Sequence, residues 1–212
     1  MHIPDGFLNV ATAATTYAAS TGGISYAVKE VNKNLKEKQV PLMGVLAAFI
    51  FAAQMLNFQV IGGTSGHLIG AALAAILLGP WAAVLIMTCV LIAQCLIFQD
   101  GGLLALGANI FNMAFIASFS AYFIYKLFTS LFGDNKKGRL IGGVVGAWAS
   151  VLLASIACAI ELAISGTSPW QVVLPAMGGI HALIGIGEAI ITGAALSLVM
   201  VARADLLQPQ KA

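Results

Sequence analysis

The chain has 212 residues, of which 60% are apolar and only 8% charged, with a formal net charge of +2. A soluble domain carries roughly 25% charged residues, so one water-surrounded core cannot absorb this composition and lipid must be the solvent. The sequence has no GxxxxGK[ST] phosphate loop, HExxH helix or GxSxG elbow, which excludes intrinsic ATP use, metalloprotease chemistry and serine hydrolysis. The few cations follow membrane topology, leaving no basis for nucleic-acid binding.

The chain opens MHIPDG. It lacks the basic start and cleavage pattern of a secretory signal, so the terminus is expected to persist with Met1 in place. The terminal amine, the His2 amide nitrogen and the His2 imidazole can close a five-membered and then a six-membered chelate ring on one cation. A deprotonated amide ligand favours square-planar Ni(II) or Cu(II). Pro4 offers no N–H and holds Ile3 extended, and Asp5-Gly6 supplies a turn. Residues 1–6 therefore read as a stiff three-nitrogen claw, followed by a bundle over 7–203 and a tail over 204–212.

Seven membrane-spanning helices are expected, at about 7–28, 41–60, 67–79, 81–98, 109–132, 140–164 and 180–203. The cations fall in three groups: Lys29, Lys33, Lys36 and Lys38; Lys126, Lys136, Lys137 and Arg139; Arg203 and Lys211. The positive-inside rule makes all three cytoplasmic, which puts the N-terminus outside and the C-terminus in the cytoplasm. The third span, LIGAALAAILLG, is too short to cross alone, so GGTSGH ahead of it should be irregular backbone shielded near the outer face. Small residues recur four apart at Ala14/Ala18, Ala48/Ala52, Ala71/Ala75 and Gly142/Gly146, suited to internal helix packing or to docking a second membrane subunit. Cys89, Cys95 and Cys158 lie in apolar spans and read as inert packing.

A square plane needs a fourth ligand. His67, flanked by glycines on the same side as Met1, is preferred over His181, which is expected at the outer end of the seventh span. Asp5, Asp100 and Asn109 fall in outer loops or span ends, where they can accept hydrogen bonds from ligand histidines. Glu188 is an intramembrane carboxylate, either a lock bonded to Asn, Ser or Thr hydrogens or a proton relay. Glu161 is expected near the outer interface, solvated.

MHIPDGFL, GGTSGHLIGA, QDGGLLALGANIFNM and HALIGIGEAIIT closely resemble the substrate-binding subunits of nickel and cobalt energy-coupling-factor transporters, the NikM/CbiM family. The resemblance runs over nearly the whole chain. It implies a seven-helix all-α membrane bundle in a prokaryotic cell membrane, with Ni(II) as transported substrate and Co(II) next. It also implies capture by the Met1 amine, the His2 amide and imidazole, and the His67 imidazole. The implied partners are a transmembrane coupling subunit, two cytoplasmic ATPases and often a small accessory membrane subunit, expected here as a separate chain. The chain is then no enzyme by itself. Two other readings are a proton-coupled secondary transporter of a small solute working through Glu188, and a purely structural membrane subunit.

Overall fold

The computed structural model describes residues 1–35 and 37–207. Lys36 and 208–212, the end of the expected tail with Lys211, lie outside the described residues.

Apolar composition and end signals set the helices. α1 (Val10–Asn34) starts at Asn9, whose side chain accepts from the Thr12 N–H, one of the donors a helix start leaves without a partner. After a 3₁₀ turn, α2 (Val40–Gln54) leads to a two-rung antiparallel hairpin of β1 (Phe58–Gln59) and β2 (Ser65–Gly66). α3 (Ala71–Leu78) and α4 (Pro80–Phe98) follow, the latter with proline at its first position, where no N–H is needed. α5 (Leu106–Ile110) runs through a π-helical stretch, Phe111–Ile116, into α6 (Ala117–Phe132). α7 (Lys136–Ile164), capped by Asn135, and α8 (Trp170–Ala202) complete the bundle.

α3 is its centre. All eight of its residues are buried, and it packs against α2, α4, α6, α7 and α8. At 1.5 Å per residue it is roughly 12 Å long, far short of the roughly 30 Å of a bilayer core. The hairpin and residues 67–70 precede it; the helix is short as expected, but Ser65–Gly66 of the stretch expected to be irregular pairs as strand β2. Gly70 starts α3 at φ +78°, and a Cβ there would lie 2.7 Å from Ile50, so both conformation and space call for glycine.

Four segments are long and apolar enough to cross a membrane: Pro80–Phe98, Leu106–Phe132, Lys136–Ile164 and Trp170–Ala202. α2 is apolar but has only 15 residues. α1 is long enough but carries threonines, serines and three charged residues. Helix nonetheless occupies part of each of the seven expected spans. The seventh begins ten residues earlier than expected, at Trp170, and carries Pro175 inside it. Leu96, Ile97, Leu183, Ile186 and Ile190 stand exposed on the outer surface, as lipid-facing side chains do. Gly142 and Gly146 serve internal packing: a Cβ on either would press into the Tyr125 or Ala121 carbonyl of α6 at 2.9 and 2.8 Å. Ala14/Ala18 and Ala48/Ala52 are exposed on α1 and α2.

Candidate metal centre

The opening residues form no helix, yet they are interior. Met1 and Ile3 are fully buried, and His2 is 4% exposed. Burying an irregular segment requires partners for its backbone polar groups, and the side chains of Ser65 and Asn109 supply them together with backbone groups of Ser65 and Gly102. The terminal amine donates to the Ser65 carbonyl and to Ser65 Oγ (2.8 Å), and the same hydroxyl accepts the His2 N–H at 3.0 Å. Asn109 grips Ile3 from both sides: its Oδ1 accepts the Ile3 N–H at 2.8 Å and its Nδ2 donates to the Ile3 carbonyl at 3.2 Å. The Gly102 N–H reaches that carbonyl too, at 2.8 Å. Asp5 accepts from the Leu104 N–H at 2.7 Å, and Pro4 has no N–H to satisfy.

The His2 ring stacks on His67, with centroids 4.6 Å apart and planes 18° from parallel. His67 Nδ1–H donates to the Leu68 carbonyl at 2.7 Å, which leaves its Nε2 a lone pair, buried and without a hydrogen-bond partner among the described residues. His2 Nε2 lies 3.1 Å from Gln94 Oε1. His2 Nδ1 lies 3.1 Å from Asp100 Oδ1, within ion-pair range but off-line for a hydrogen bond. Asn57 steadies the other Asp100 oxygen at 2.9 Å. An open cavity of about 870 Å³ lies over this group, and His2, Asp5, Asn57, Ser65 and Asp100 are among its lining residues.

Electrostatics prepare these nitrogens for a cation. Burial pushes the terminal amine from its ordinary 8.0 down to about 5, so it is neutral at pH 7. Burial likewise lowers His2, with Asp100 pulling the other way. For Asp100, burial raises the carboxyl, but the His2 ring, the terminal amine and Asn57 outweigh it, and the group stays ionised. Among the described residues, no three His, Cys, Asp or Glu side chains converge as a metal site. A claw that takes two nitrogens from the terminus and two from imidazoles needs no such cluster.

The structure thus brings together Met1, His2, His67, Asp100 and Asn109. Asp100 faces the His2 ring within ion-pair range and not in a hydrogen bond, whereas Asn109 and Asp5 hold backbone instead of imidazole. His181 is corrected: it lies about three turns inside α8, fully buried, with Nδ1–H donating to the Met177 carbonyl at 2.8 Å. Glu161, expected in solvent, is 8% exposed and accepts from Asn112 at 2.6 Å. Asn112 sits on the π-helical stretch, where the altered winding turns it toward α7. The partners of Glu188 also differ from expectation: its two oxygens accept the backbone N–H groups of Ile69 (2.9 Å) and Gly70 (2.6 Å) at the head of α3. Glu188 therefore fixes the loop that carries His67. Cys158, packed under Met1, is buried without a disulfide, in line with inert packing.

Sequence reading missed Ser65 and Gln94. Ser65 stood inside the glycine-rich stretch taken only as shielded backbone. Gln94 is the only amide in α4, and a lone amide in an apolar span was a usable signal.

Residues 2–206 match the CbiM family, described as the cobalt uptake substrate-specific transmembrane region. A chain of Archaeoglobus fulgidus, provisionally named as a fused nickel transport protein NikMN, is 41% identical over 214 residues, covering all of this chain and 70% of its own. The fused nickel transport protein NikMN of Rhodobacter capsulatus is 33% identical over 226 residues, covering all of this chain and 65% of its own. The crystal structure of a truncated transition metal transporter superposes with a TM-score of 0.89 at 41% identity, over 95% of this chain and 99% of that one.

Proposed function

The chain belongs to the CbiM family of nickel and cobalt transport membrane proteins, and from that premise we propose that it is the substrate-binding subunit of an ATP-driven importer of Ni(II), with Co(II) as second substrate. The observation that carries this reading is the terminal amine, buried and neutral beside two stacked imidazoles. The Met1 amine, the deprotonated His2 amide, His2 Nδ1 and His67 Nε2 would form a four-nitrogen plane, which suits low-spin Ni(II). His2 must turn its ring from Asp100 and its stacked position toward the metal. The ion enters by the open cavity, and Asp100 on its wall draws the cation in.

The remaining parts of the reading follow from this role. Seven membrane crossings place Met1 and the cavity outside a prokaryotic cell membrane and the basic loops inside. The chain hydrolyses nothing itself; two cytoplasmic ATPases, coupled through a transmembrane subunit and in some systems a small accessory membrane subunit, drive release inward. Proton-coupled transport through Glu188 is the weaker reading, since both its oxygens already hold the head of α3.

The test is a calorimetric titration of Ni(II) into the purified chain with its native start, beside a version with one alanine ahead of Met1. The extra residue turns the amine into a peptide bond and must force its way into a filled interior. One tight site in the first and none in the second is the expected result. Equal binding in both would remove the amine from the site and return Glu188 and His181 to consideration.

A further inference from the structure

Gln94 does more than fill space beside His2. We infer that it selects the nitrogen His2 presents to the metal, an inference that rests on the claw reading above.

The two ring nitrogens of His2 face different acceptors, Gln94 Oε1 at Nε2 and Asp100 at Nδ1, each 3.1 Å away. A neutral imidazole carries one proton, and its position decides which nitrogen has a lone pair. A six-membered chelate from the His2 amide can close only through Nδ1, so the proton must sit on Nε2. Asp100 lies off-line for a hydrogen bond, but its negative charge beside Nδ1 favours the proton there, and a proton on Nδ1 would block the metal. The Gln94 amide oxygen gives the Nε2 proton a partner in the dry interior and so makes the metal-ready tautomer available.

The same residue also places the competing group. The Gln94 backbone carbonyl accepts the Gln99 N–H, with Gln99 in the left-handed conformation that ends α4, and the Asp100 N–H at 3.0 Å. One residue, itself fully buried, thus holds the neighbours of both ring nitrogens: its side chain at Nε2 and its carbonyl behind Asp100. Gln94 is a positioning residue, since it touches the ligand ring and not the ion.

The test compares Gln94→Met, which keeps the shape and removes the acceptor, with Gln94→Glu, which keeps an acceptor oxygen, each titrated with Ni(II) chloride. Loss of a partner to a metal-bound histidine typically weakens affinity roughly 10–100-fold, so Gln94→Met should show that loss while Gln94→Glu stays within about threefold of the unaltered chain. Should Gln94→Met fail to fold, Gln94→Asn, whose oxygen is withdrawn by one methylene, must show the weakening instead. Unaltered affinity in the Met variant, or equal loss in Met and Glu, overturns the inference. The alanine-extended chain separates the two levels. If it binds like the native start, the claw and the role of Gln94 fall together; if it does not bind while Gln94→Met binds normally, only the role of Gln94 falls.

Discussion

The first three residues and the α7–α8 pair both bury themselves, by different physics. α7 and α8 pack long apolar faces, with glycines setting how closely they approach their neighbours, and their backbone groups bond within each helix. The opening segment has no internal backbone ladder. It is held by Ser65 and Asn109, each meeting two of its polar groups, and by Gly102 and Leu104, each meeting one. Packing of the first kind is spread over many contacts and tolerates exchange of one apolar side chain for another of similar volume. Anchoring of the second kind is concentrated in a few bonds, so single changes there should act strongly on function.

The largest expected effects test that contrast directly. His67→Ala removes a buried lone pair that has no hydrogen-bond partner among the described residues, and should weaken Ni(II) by more than the roughly 10–100-fold typical of outer partners. Calorimetry reads it, and a conservative exchange on the lipid side, Ile190→Leu, should leave affinity unchanged. A comparable loss from Ile190→Leu would erase the distinction between the two regions.

Glu188→Ala sharpens the comparison, because Glu188 lies on α8 but serves the site. Removing it strips the Ile69 and Gly70 N–H groups of their acceptors in a dry interior, at about 1–3 kcal/mol each. Thermal unfolding in detergent should shift down clearly, with weaker nickel binding because the loop bearing His67 loosens. Normal stability with abolished transport would instead revive the proton-relay reading.

Much of this was legible in the sequence, for reasons that differ by region. Hydropathy located helix within every expected span, since apolar runs must be helical in lipid. It misjudged the start of α8 because Trp170–Gly179 mixes polar and small residues with Pro175, which reads as a loop edge although helix continues through it. That ten-residue error moved His181 from a helix end to the interior. Met1 and His2 stood out because chelate rings constrain spacing along the chain, and His67 because it lies in a glycine-flanked stretch; the structure stacks the two rings. Ser65, Gln94 and the Asn112–Glu161 pair did not stand out, since their partners lie 49 or more residues away and only the fold joins them.

Asn109→Ala is the next smaller effect. It frees the Ile3 N–H and leaves the Ile3 carbonyl to the Gly102 N–H alone. The claw should loosen without losing any ligand, with affinity falling roughly tenfold, the lower edge of what outer partners contribute. An unchanged affinity would mean that the segment is held by packing, like α7 and α8, and not by its anchors.

The subtlest expected effect is in the pH slope of nickel affinity. Metal binding must displace whatever protons the ligand nitrogens hold. The amine, pushed down to about 5, and His2, lowered from its ordinary 6.5, are already in their neutral forms between pH 7 and 8. Only the His2 amide proton then remains to be released, so affinity should rise by about one decade per pH unit across that window. Toward pH 5 the amine begins to compete as well, the slope steepens, and the metal is released. The folded-state shift of the amine also has a sign for stability. An amine lowered from 8.0 to about 5 is protonated in the unfolded chain before the folded one, so the metal-free protein should lose stability as pH falls from 8 to 5. A claw exposed to water would behave otherwise, showing a slope of about two decades per unit near pH 7 and no such loss of stability. The slope thus reports whether the opening residues stay buried in solution, which is the premise of the whole contrast with the lipid-packed helices.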